Sequence, residues 1–265
     1  MSSVSSEFVE TIDVSRSLGV VTITLQRPAK KNAINATMWD ELLATFHEIA
    51  VSSTDRAVVI TGTGGEFCSG ADLTAGGDGP PRHQLAVMRH VGDVALALHR
   101  LPQPTVAKVR GVAVGAGCNL ALGCDLVVAG DTARFSQIFA RRGLSVDFGG
   151  SWLLARRVGL HRAKELSLLG DIIDATEAER IGLVNRVLPD ADLDAFVDDW
   201  AARLAAGPPI ALAMTKRLLD NSMQVTFEEA LDDEGLSQTV NFGSSDTIEA
   251  MRAFVEKRTA TFEGR

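Results

Sequence analysis

The stretch AKVRGVAVGAGCNLALGCDLVVAG, residues 107 to 130, shows most clearly how strands and helices follow one another in this chain. It begins with residues typical of a strand, passes through glycines into a small-residue helix and ends in the strand-like DLVVAG. Gly115, Ala116 and Gly117 therefore lie where a strand gives way to a helix. The free N–H groups and dipole of a helix start favour a developing negative charge, although close packing through small residues is an alternative explanation. A dinucleotide-binding fingerprint does not fit, because Leu120 occupies its third glycine position.

Strands and helices alternate on both sides of this stretch. The patterns predict strands in GVVTITLQRP (19–28), RAVVITGTGG (56–65) and TVAKVRG (105–111), and helices in NATMWDELLATFHEIA (35–50) and RHQLAVMRHVGDVALALHRL (82–101). Such alternation is typical of an α/β fold. From about Leu193 onward the pattern is helical, so we expect a core over residues 1–192 and a helical oligomerisation region over residues 193–265.

Local signals predict where several later helices begin. TEAE (176–179) and TFEE (226–229) have the spacing of a capping box. The prolines of GPPIALAMTKRLL (207–219) suit the first turn of a helix.

Composition narrows the class of partner. The 265 residues carry a formal net charge of −8, which argues against nucleic acid and anionic membranes as partners. The opening MSSVSSEFVE has neither the basic nor the apolar segment of a signal peptide. The three cysteines form no zinc-type pair, so we expect reduced, buried thiols, no metal site and a cytoplasmic location.

A second glycine-rich stretch, TGTGGEFCSGADL (61–73), also follows a strand, although most such stretches are only turns. With the first it resembles the crotonase superfamily, the enoyl-CoA hydratase/isomerase family. The resemblance covers nearly the whole chain through LQRPAKKNAIN (25–35), FCSGADL (67–73), RFSQIFARRGLSVDFGGSWLLARRVGLHRAKEL (134–166), GDIIDATEAERIGLVNRVLP (170–189) and AFVEKRTATFEGR (253–265). It implies a crotonase (ClpP-like) spiral of β-β-α repeats, with C-terminal helices that build a homotrimer or a dimer of trimers.

The resemblance also implies an acyl-CoA thioester as substrate, with coenzyme A as part of the substrate and no separate cofactor. The backbone N–H groups of Ala71 and Ala116 would form an oxyanion hole for the thioester carbonyl. Lysine and arginine suit phosphate recognition at the CoA end, although a solvated helix end is the alternative there. The implied substrate-binding set is Arg27, Lys31, Ala71, Asp72, Leu73, Gly115, Phe139, Trp152, Phe254 and Lys257, the last two from this or a neighbouring subunit.

The chain departs from the family pattern at the two glutamates with which hydratases activate water. Asn119 and Phe139 occupy those positions. Asparagine can orient a water but cannot take its proton, and phenylalanine can do neither. Asp147, in GLSVDFGGSWLL (143–154), instead matches the position of a catalytic aspartate in some members, and the pattern is closest to epoxyphenylacetyl-CoA isomerases. The family's aromatic acyl-CoA dehalogenase also needs a histidine base near its aspartate. No histidine lies between His99 and His161, so dehalogenation is a less favoured reaction for this chain.

Asp147 leaves three hypotheses open. As a single base it would make the chain an isomerase, in a pocket where Phe139, Phe148 and Trp152 exclude water and raise its pKa. A hydratase or hydrolase would instead combine Asp147 with a water bound to Asn119. In a non-catalytic acyl-CoA binding protein, Asp147 would only cap the following helix.

Overall fold

The computed structural model describes residues 11–74 and 83–265, so the leader prediction for the first ten residues lies outside it. Nine strands in this part of the chain form two sheets. The larger sheet has the order β1-β2-β3-β4-β6-β9, and the smaller one has the order β5-β7-β8. The strands are β1 Ile12–Ser17, β2 Val20–Leu25, β3 Ala57–Gly62, β4 Thr105–Val109, β5 Val112–Val114, β6 Leu126–Gly130, β7 Arg134–Ser136, β8 Ile172–Asp174 and β9 Arg186–Leu188.

The chain passes between the sheets in a repeating manner. Strand β4 of the large sheet is followed by β5 of the small sheet and then by a helix, and β6 is followed by β7 in the same way. In the large sheet all pairings are parallel except β1 with β2. The α/β crotonase spiral implied by the sequence is therefore present.

Ten helices surround the sheets in the described part of the chain. They are α1 Ala36–Val51, α2 Gln84–His99, α3 Ala116–Leu122, α4 Gly150–Val158, α5 Leu160–Leu169, α6 Ala175–Arg180, α7 Asp190–Ala205, α8 Pro209–Asn221, α9 Phe227–Phe242 and α10 Ser245–Glu256. Short 3₁₀ turns occupy Pro28–Lys30 and Ile138–Arg142. None of these helices is long and apolar enough to span a bilayer.

Most of the predicted elements are confirmed, with two corrections. Strand β1 was not predicted, because IDVSRS is mostly exposed and polar at the edge of the sheet. The capping box at Thr176 is wrong: the Asp174 side chain caps α6 by accepting from the Glu177 N–H at 2.8 Å, and Thr176 lies inside the helix. The box at Thr226 and the proline start of α8 are confirmed.

Helix α7 crosses the predicted boundary between residues 192 and 193. Its residues Leu193, Val197 and Ala201 are buried against Val59, Val106 and Val128 on one face of the large sheet. The other face packs against α1 to α4 in the main core. Packing against the sheet thus continues through α7, and the division into core and oligomerisation region stays a prediction.

Candidate active site

The loop at residues 68–71 lies against the start of α3. The Cys68 N–H donates to Val112 O at 2.8 Å, and the Val114 N–H donates to Cys68 O at 3.0 Å. Gly70 has a φ of +99°, and a Cβ there would lie 2.8 Å from Val114 O and 3.7 Å from the Ala116 nitrogen. A side chain would not fit between these segments, so glycine permits their close approach.

Both predicted N–H donors are available at this contact. Ala116 is the first residue of α3, where a helical N–H has no acceptor in its own helix. On the other segment, Gly70 O accepts from the Ile34 N–H and the Asp72 N–H donates to Ile34 O, both at 2.8 Å. Ala71 lies between these two bonds and makes neither of them. Within the described residues no acceptor is bonded to the N–H of Ala71 or Ala116. Two such donors can stabilise an enolate oxygen.

Charged side chains hold the Ala71 loop from outside. The Arg27 guanidinium pairs with Asp72 Oδ2 at 2.9 Å and also bonds Ala33 O. The Thr74 hydroxyl and Arg27 together lower the pKa of Asp72 to about 2. Lys31 pairs with Glu66 at 2.8 Å. Arg27 and Asp72 are thus paired with each other within the protein, whereas Leu73 is exposed. That Arg27, Lys31, Asp72 and Leu73 bind CoA stays a prediction.

Asp147 does not cap helix α4 with its side chain. Gly149 occupies the N-cap position, and no side chain bonds the first turn. Instead the Asp147 backbone oxygen accepts from the Gly150 N–H at 2.9 Å. The cap hypothesis is therefore wrong, because the main chain already satisfies the helix start.

The Asp147 carboxyl is free of protein partners within the described part of the chain. Its Oδ1 atom is buried and has no hydrogen-bond partner there. Burial raises the pKa of this carboxyl from 3.8 to about 6. Arg141 and Arg142 do not oppose this effect, since both are exposed and Arg141 pairs with Asp171. A carboxyl of this kind can hold or release a proton near neutral pH.

Asn119 connects the start of α3 to the Asp147 loop. It is fully buried, its Nδ2 donates to Asp147 O at 2.9 Å, and its Oδ1 accepts from Gln137 Nε2 at 2.8 Å. A Cβ at Gly150 would lie 2.3 Å from Asn119 Nδ2, so glycine is needed where the amide passes. The acceptor of Asn119 is already bonded to Gln137. Sequence reasoning missed Gln137, whose amide is recognisable only through this contact.

The three aromatic residues of the predicted pocket lie in different places. Phe139 is buried beside Gly115, since a Cβ on Gly115 would lie 3.7 Å from the Phe139 ring. Phe148 is buried and stacks on Trp39, with ring centroids 5.4 Å apart. Trp152 is half-buried, lies edge-on to His99 and has the Arg156 guanidinium 3.8 Å from its ring centre. Phe139 therefore lies beside the start of α3, whereas Phe148 and Trp152 line a cavity at the other end of that helix.

That cavity, of about 940 Å³, lies among α2, α4 and α8; we call it the distal chamber. Phe148, Gly149 and Trp152 form one wall, and Gly92, Ala95, Leu96 and His99 of α2 form another. Helix α8 supplies a polar wall that includes Lys216 and Asp220. Sequence reasoning missed the chamber, although the helical spacing of residues 92, 95, 96 and 99 places them on one face of α2.

The remaining predicted residues lie on the surface. Phe254 is 84% exposed on α10, and Lys257 ends that helix.

All three cysteines are free and buried, and burial raises the pKa of each thiol to about 12. No group of three or more potential metal ligands occurs within residues 11–74 and 83–265.

Comparison with known proteins identifies the family. The family model described as "Enoyl-CoA hydratase/isomerase" matches residues 15–265. A Rhodobacter capsulatus protein named "Probable enoyl-CoA hydratase" is 39% identical over 96% of this chain and 98% of its own. The Escherichia coli "1,2-epoxyphenylacetyl-CoA isomerase" is 35% identical over 93% of this chain and 96% of its own. The crystal structure of a "putative enoyl-CoA hydratase" from Thermobifida fusca in complex with CoA matches with a TM-score of 0.81 at 36% identity. The match covers 88% of this chain and 93% of the Thermobifida fusca chain. The chain therefore belongs to the enoyl-CoA hydratase/isomerase family and is an acyl-CoA enzyme.

Proposed function

We propose that the chain is an enoyl-CoA-type isomerase in which Asp147 is the only carboxylate base. The observation that carries this proposal is the half-buried Asp147 carboxyl, whose buried Oδ1 has no partner in the described chain and whose pKa is raised to about 6. Asn119 ties the backbone of this residue to α3 three residues after Ala116, which is a rise of about 4.5 Å along the helix. This bond connects the loop that carries the base to the helix that begins with an oxyanion donor.

One carboxylate is sufficient for the proposed reaction. With a 3-enoyl-CoA, ionised Asp147 takes a proton from C2, and the electron pair moves toward the thioester oxygen to give a dienolate. The N–H groups of Ala71 and Ala116 stabilise that oxygen. The same carboxyl then returns the proton to C4, which leaves the double bond between C2 and C3. No water is consumed, and the apolar Phe139 beside Gly115 helps to exclude it.

Hydration is the second candidate, because several relatives carry hydratase names. The contacts of Asn119 argue against the form of this reaction that uses an Asn119-bound water. Its Oδ1 accepts from Gln137, and its Nδ2 donates to the Asp147 main chain. One Nδ2 hydrogen and one Oδ1 lone pair remain unused, but Asn119 is fully buried, so a water would have to displace packed atoms to reach them.

We also propose that the chain works as a homotrimer or a dimer of trimers in the cytoplasm. Support for assembly comes from large apolar side chains exposed on the last three helices, including Phe227, Leu236, Phe242 and Phe254. Exposed apolar surface of this extent is typical of an interface. The free, buried cysteines fit a reducing compartment. The molar mass in solution, by light scattering, tests the assembly.

The experiment for the reaction follows ultraviolet absorbance of the conjugated thioester with two substrates. Isomerisation of a 3-enoyl-CoA raises the absorbance, and hydration of a 2-enoyl-CoA lowers it. We expect a rise with the first substrate that Asp147→Asn abolishes. Loss of signal with the second substrate, with 3-hydroxyacyl-CoA as product, would support the hydratase instead. No change with either substrate, despite tight acyl-CoA binding, would support a binding protein.

A further inference from the structure

The distal chamber lies at the opposite end of α3 from the paired N–H groups. Ala116 begins this helix and Gly123, which lines the chamber, directly follows its last residue. The separation along the axis is about 10 Å. Asn119 lies between them along α3 and bonds the main chain of Asp147, so the loop that carries the base is held to this helix between its two ends.

The chamber and the base also share a loop. Phe148 and Gly149, the two residues after Asp147, line the chamber wall. Consider an acyl group whose thioester oxygen accepts from the N–H groups of Ala71 and Ala116 and whose reacting carbons lie at Asp147. The far end of that acyl group would point into the chamber.

Gly92 is the most informative residue of the chamber. It lies in the interior of α2, where glycine is unfavourable, and a Cβ on it would meet no atom of the described chain within 4 Å. Its φ is not in the left-handed region. Neither close packing nor backbone conformation therefore requires glycine here. Gly92 is exposed and lines the chamber, so glycine leaves this part of the wall without a side chain.

We propose that the distal chamber binds a ring at the far end of the acyl group, and that Gly92 determines this specificity. This inference rests on the proposed position of the thioester and base. A volume of about 940 Å³ lies within the range of small-ligand pockets and exceeds what a straight chain fills. The wall includes Phe148 and Trp152, and aromatic rings bind one another in offset or edge-on arrangements.

Neighbouring contacts make the aromatic wall rigid. Phe148 is fixed by its stack on Trp39, and Trp152 is held between His99 and Arg156. On the polar wall, Lys216 bonds Asp125 at 2.8 Å and Gln103 O at 3.2 Å, so its charge is neutralised within the protein. The aromatic side is accordingly the side that the ring contacts.

Calorimetric titration with unreactive saturated thioesters tests the proposal separately from catalysis. The probes are butanoyl-CoA, 4-phenylbutanoyl-CoA, which adds only the terminal ring, and decanoyl-CoA, which has as many acyl carbons as the phenyl compound. For the unmodified protein we expect 4-phenylbutanoyl-CoA to have a Kd about tenfold or more below that of butanoyl-CoA, and lower than that of decanoyl-CoA. Because no probe can react, failure of Asp147 as a base would not alter this result.

Two leucine variants then locate the ring. Gly92→Leu adds a bulky side chain to the chamber wall and should reduce the preference for 4-phenylbutanoyl-CoA over butanoyl-CoA by about tenfold. Gly235→Leu is the matched control, since Gly235 also lies inside a helix, α9, and a Cβ on it would likewise meet no atom of the described chain within 4 Å. It should leave the preference unchanged. Gly92→Ala should melt at the same or a higher temperature than the unmodified protein, because alanine is the better helix former.

Three results would overturn the proposal. An unchanged preference in folded Gly92→Leu would place the ring elsewhere. Tighter binding of decanoyl-CoA than of 4-phenylbutanoyl-CoA would make the chamber a site for straight chains. A clear loss of thermal stability in Gly92→Ala would give Gly92 a role in folding rather than in specificity.

Discussion

Asp147→Asn should make the folded protein more stable at neutral pH while removing its activity. The native pKa of Asp147, about 6, lies above its ordinary value of 3.8 because burial disfavours the charged form. The native state therefore binds this proton more tightly than the unfolded state does. The cost of ionising the carboxyl is absent below pH 3.8, grows between pH 3.8 and 6, and is complete above pH 6. Asparagine has nearly the same shape and never ionises.

The magnitude follows from the two pKa values. They differ by about two pH units, and each pH unit is worth about 1.4 kcal/mol, which bounds the cost at about 3 kcal/mol. Asp147 is only half-buried, and solvent screens part of this cost, so we expect a gain of about 1–2 kcal/mol in the free energy of unfolding at pH 7.5. For a chain of this size each kcal/mol raises the Tm by roughly 2–4 °C.

The assay is thermal unfolding of both proteins at one fixed protein concentration, at pH 7.5 and at pH 4. The Tm of the variant should be higher at pH 7.5, and the difference should nearly vanish at pH 4. Asp72→Asn is a control of opposite sign. The pKa of Asp72 is held at about 2 by Thr74 and Arg27, so its contribution to stability is present above pH 3.8 and is lost as pH falls through 2. Asp72→Asn should therefore destabilise the fold at pH 7.5.

Two outcomes would refute the reasoning about Asp147. A lower Tm for Asp147→Asn at pH 7.5 would mean that the carboxylate stabilises the fold, as a cap would. A gain of the same size at pH 4 and pH 7.5 would show that ionisation is not its cause.

Two further predictions concern the geometry around Asp147. Asn119→Leu removes the bond to Asp147 O, so kcat in the absorbance assay should fall by roughly tenfold or more with little change in KM. If Asn119→Leu and Asn119→Asp lost activity equally and both unfolded, the role of Asn119 would instead be purely structural. Ala116→Pro removes the N–H of one oxyanion donor at the first position of α3, where a helix tolerates proline. We expect kcat/KM to fall by roughly 10²–10³. A loss below tenfold would show that the Ala116 N–H does not stabilise the oxyanion.

The sequence predicted the regular elements well because their signals are local. β-branched runs ending at glycine or proline marked β2, β3, β4 and β6, and apolar spacing marked α1 and α2. It was less successful where a neighbour decides the outcome. Strand β1 is polar and forms only because β2 pairs with it along six residues. At Thr176 two acceptable caps lie two residues apart, and the strand β8 that precedes α6 favours Asp174.

The candidate site was predictable in its parts but not in its arrangement. Glycines at residues 70 and 115 indicated close backbone approach, and the fold brings the two segments together. The sequence could not place Phe139 beside Gly115 and Trp152 in the distal chamber, because both positions depend on the path of the chain between them. Nor could it identify Gln137, which acts only through Asn119.

The main chain of the Asp147 loop carries the structural role, and this leaves the side chain free. Asp147 O accepts from both Gly150 N–H and Asn119 Nδ2, and the next two residues turn the chain with φ values of +48° at Phe148 and +74° at Gly149. Phe148 adopts a left-handed conformation that costs about 1–2 kcal/mol, and its stack on Trp39 offsets about 0.5–1.5 kcal/mol. A strained residue and a buried ionisable carboxyl thus adjoin at one turn. The start of helix α4 uses the main chain of Asp147 and Gly149 and not the Asp147 side chain, so the carboxyl remains available for the proposed role as a base.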